Sequence, residues 1–91
     1  MKRDFHRVVH ELTVAVAPYA PHIAGRLHAI VDTDEHAERL AHRVLGFVDG
    51  FTARSIPDAR QERAMTSIRR LADELLCQCR DRELRTLSGA A

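Results

Sequence analysis

Ninety-one residues set the size of a single domain, one that buries only about 60–65% of its extended-chain surface and so has a thin core. Fourteen basic and 13 acidic side chains leave a net charge of +1, which excludes a grip on nucleic acid or a membrane surface driven by bulk charge. One Tyr, three Phe and no Trp leave the core volume to Leu, Ile, Val and Ala, a composition that favours packed helices over sheets.

The first helix is expected over residues 4–17. Asp4 can cap it, and Phe5, Val8, Val9, Leu12, Ala15 and Val16 recur at the i, i+3, i+4, i+7 spacing of one helix face. Val14 falls on the opposite face as the one apolar misfit. Pro18-Tyr19-Ala20-Pro21 then breaks the helix, because proline removes a donor and pushes the residue before it away from helical geometry. If Pro18 only kinks the chain, the first two helices form one bent unit.

A short second helix is expected over 21–31, opened by Pro21, with Ile23, Leu27, Ile30 and Val31 inward and Gly25 weakening it. Asp32 and Glu35 have capping-box spacing and start a third helix over 33–52. That helix carries Ala37, Leu40, Ala41, Val44, Leu45, Val48 and Phe51 on one face. Gly46 and Gly50 lie toward its polar side, at a cost of about 1 kcal/mol each relative to alanine.

The stretch Ser55–Arg80 organises the rest. Ser55 and Asp58 read as an S-x-x-D capping box with Pro57 in the first turn, so a fourth helix is expected over 56–80, with 81–91 as a frayed helix end or tail. At about 100° per residue, Gln61, Ala64, Met65, Ile68, Leu71, Ala72, Leu75, Leu76 and Cys79 share an arc of roughly 140°. That is wider than a two-stranded coiled-coil seam and suits a helix with two or more neighbours. A helix of this length exceeds any other segment, and this overhang leads to the expectation of a second chain. The fold class expected is therefore all-α, a small antiparallel bundle of three to four helices with a long C-terminal helix, dimeric, the alternative being a monomeric four-helix bundle with the same stripe as its core.

Six histidines are the unusual count. His6 and His10, at i, i+4, have a spacing that can present two imidazoles to one metal, but two ligands are too few and neither H-E-x-x-H nor a third ligand at useful spacing accompanies them. No metal site and no cofactor are expected, and surface histidines are the default. Cys77 and Cys79 point about 200° apart on a helix, with Cys79 on the apolar stripe and Cys77 on the polar side. Arg60, Arg63, Arg69, Arg70, Arg80, Arg82 and Arg85 are interleaved with Glu62, Asp73, Glu74, Asp81 and Glu83, the pattern of a solvated face with i, i+4 pairs worth tenths of a kcal/mol.

No nucleophile with a partner base, no paired carboxylates in an apolar setting and no glycine-rich phosphate loop marks an enzyme. The absence of an apolar run of about 18 residues and of a signal-peptide core points to a soluble cytoplasmic chain, and the arginine bias suits a GC-rich bacterial genome. The function expected is a non-enzymatic protein–protein interaction or regulatory module. It would form a homodimer through the long helix and bind a further protein, with Met65, Ile68, Leu71, Leu75, Leu76 and Cys79 carrying the interface. Two other classes compete: a metal or pH sensor built on histidines, and a nucleic-acid-associated regulator.

Overall fold

Apolar side chains recurring on one face of each segment must be hidden, and within the chain the surfaces available are the other segments. A computed structural model, which describes residues 5–29 and 34–89, shows how this is met. It contains four helices and, among the described residues, no strand: α1 (Phe5–Val16), α2 (Pro21–His28), α3 (Asp34–Arg54) and α4 (Ala59–Gly89). α4 packs against both α3 and α1, α1 also packs against α2, and α2 against α3. The molecule is elongated, 50 × 23 × 21 Å along its principal axes.

The core takes the faces that the spacing dictates. α1 buries Phe5, Val8, Val9, Leu12 and Val16, with Ala15 half-buried against them, while Val14 is 60% exposed. α2 buries Ile23, Ala24 and Leu27. α3 contributes Ala37, Leu40, Ala41, Val44 and Val48, with Leu45, Phe47 and Phe51 packed partly against the cluster. No buried polar or charged residue occurs among the described residues, so hydrophobic burial alone organises the interior.

The break at Pro18–Pro21 yields two separate helices connected by residues 17–20, with Ala20 hydrogen-bonded to both. The Ala20 N–H donates to the Val16 carbonyl, closing α1, while the Ala20 carbonyl accepts from the N–H groups of Ile23 and Ala24, opening α2. Ala20 itself sits at φ −142°, ψ 75°, outside helical geometry, as the residue before a proline is driven to be. Pro21 occupies the first turn of α2, where its missing N–H costs nothing. The expectations for Asp4, Ile30, Val31 and Asp32 fall on positions outside the described residues.

α4 begins three residues later than the S-x-x-D pattern suggests. Asp58 is the cap: its Oδ1 accepts from the Gln61 N–H at 2.8 Å, and Gln61 Oε1 accepts from the Asp58 N–H at 3.1 Å. This is a reciprocal capping box of the D-x-x-Q kind. Ser55, the cap expected from sequence, is used elsewhere, donating its hydroxyl to the Phe51 carbonyl at the end of α3. At the other end, α4 runs on past Arg80 to Gly89. Strong helix formers over 80–87 (Arg, Glu, Leu) carry it after the apolar stripe has ended.

Candidate functional site

The α4 stripe is built as its spacing implies. Met65, Ile68, Leu71, Ala72, Leu75, Leu76 and Cys79 are all buried, and Gln61 and Ala64 at the start of the stripe are half-buried. All six residues proposed from sequence as an interface (Met65, Ile68, Leu71, Leu75, Leu76 and Cys79) belong to the core of one chain, joined to the side chains of α1, α2 and α3. The stripe is therefore covered within one chain, although no other helix matches α4 in length. α4 is covered by two helices, α1 and α3, rather than by one of matching length.

Between Arg60 and Arg80, the positions of α4 outside the stripe are polar or charged apart from Cys77. Cys77 is exposed and Cys79 buried, the division that their 200° separation predicts. Arg69 reaches across to Asp49 of α3, where the two side chains form an ion pair and hydrogen bond on the surface. On α1, Arg7 and Glu11 are 3.9 Å apart at i, i+4.

The histidines do not assemble. His6 and His10 are exposed on α1, and His6 sets its ring edge-on to Phe5 with centroids 5.7 Å apart. His22, His28, His36 and His42 are exposed on α2 and α3. Among the described residues no three His, Cys, Asp or Glu side chains come close enough together to hold a metal ion.

Sequence reasoning missed one cluster. Tyr19 and Phe51 meet edge to face with centroids 5.8 Å apart, and Phe47 leans on Phe51 at 6.0 Å, all three half-buried. The i, i+4 spacing of Phe47 and Phe51 was a readable signal for half of it. Tyr19 arrives only because the turn after α1 brings it to α3. Ile56, in the connection between α3 and α4, is 98% exposed. No described helix is long and apolar enough to cross a membrane. Comparison with protein-family models, with curated proteins and with solved structures gives no match for this chain.

Proposed function

We propose that the chain is a non-enzymatic interaction or regulatory module that pairs with a second copy of itself along α4 and binds a further protein. The observation that carries the reading is the length of α4. With 31 residues it is about 46 Å long, close to the 50 Å long axis of the molecule, whereas α3 with 21 residues is about 31 Å long. On this reading α3 and α4 form an antiparallel hairpin from which α4 extends by about 15 Å, offering helical surface that α3 does not accompany. The six stripe residues are already covered within one chain, so they enter the dimer as a core shared by exchange of α4 between copies.

Light scattering on the purified chain over a wide concentration range tests the pairing. A mass near twice 10.3 kDa, with a melting temperature that climbs with concentration, supports it. A 10.3 kDa species throughout, melting at one temperature, overturns it. A pull-down from native lysate addresses the further protein. Recovery of nucleic acid instead, lost steeply as salt rises, would replace this reading with that of a nucleic-acid-associated regulator.

A further inference from the structure

We draw no further inference here: the strongest candidate, the half-buried aromatic cluster of Tyr19, Phe47 and Phe51 together with the exposed Ile56 of the α3–α4 connection, carries nothing because nothing in the structure shows what covers it.

Discussion

Asp58 and Gln61 cap each other, each side chain accepting the other's backbone N–H at the first turn of α4. Two of the orphan donors at that helix end are satisfied by this exchange. Asp58→Ala is expected to cost about 1 kcal/mol, read as a lower urea midpoint with an unchanged slope. Ser55→Ala removes only an exposed hydroxyl at the end of α3 and should stay within about 0.5 kcal/mol. The reverse order would put the helix start at Ser55.

The interior of the bundle has no polar member to lose, so its response to truncation is a packing response. Leu75, fully buried on α4, is expected to cost about 2–5 kcal/mol when changed to Ala, through lost burial and the cavity left behind. Val14→Ala, on the exposed side of α1, should remain within about 0.5 kcal/mol. Thermal and urea melts of the two variants against the parent check the contrast. If pairing through exchanged α4 holds, Leu75→Ala also steepens the dependence of melting on concentration.

Two glycines in helices stand in open space. A Cβ added at Gly25 or at Gly46 meets no atom within 4 Å. Gly46→Ala is expected to stabilise the chain by about 0.5–1 kcal/mol, through helix propensity and a less mobile unfolded chain. Gly50→Ala should gain less, because its Cβ comes within 3.0 Å of the Arg54 guanidinium, which must move. That group sits there because Arg54 Nε donates to the Gly50 carbonyl. A Gly46→Ala variant that melts below the parent would show that the exposed face of α3 is occupied in solution.

The pair between Asp49 and Arg69 joins α3 to α4 but lies on the surface, with side chains 66% and 49% exposed. A double-mutant cycle through Asp49→Ala and Arg69→Ala is expected to give a coupling of about 0.2–1 kcal/mol. The coupling should shrink as salt is raised from low ionic strength. A coupling well above that range would mark the pair as a determinant of how the two helices are set against each other.

How far the fold could be read depended on what each feature is made of. Helix faces follow from periodicity, so the buried set on α1, the exposed misfit Val14 and the division between Cys77 and Cys79 could all be placed from residue spacing. The start of α4 could not, because Ser55, Asp58 and Gln61 supply two overlapping boxes that share Asp58. The structure uses the second box, and the Ser55 hydroxyl instead donates to the Phe51 carbonyl four residues back, at the end of α3. Coverage of the stripe was equally out of reach. Nothing in the spacing of Met65 to Cys79 says that two helices, α1 and α3, share the work of covering one longer than either.

Ala20 gives α1 and α2 a common fate. Its amide belongs to the last turn of one helix and its carbonyl to the first turn of the next, with the side chain sealed in the core between them. Fraying of α2 from its start therefore strips the shared acceptor from Ile23 and Ala24 and loosens the residue that locks the exit of α1. Residues 5–28 are expected to behave as one cooperative opening unit, whose slow amides exchange with a single free energy in native-state hydrogen exchange. Two distinct exchange free energies on either side of Ala20 would show that the joint transmits nothing.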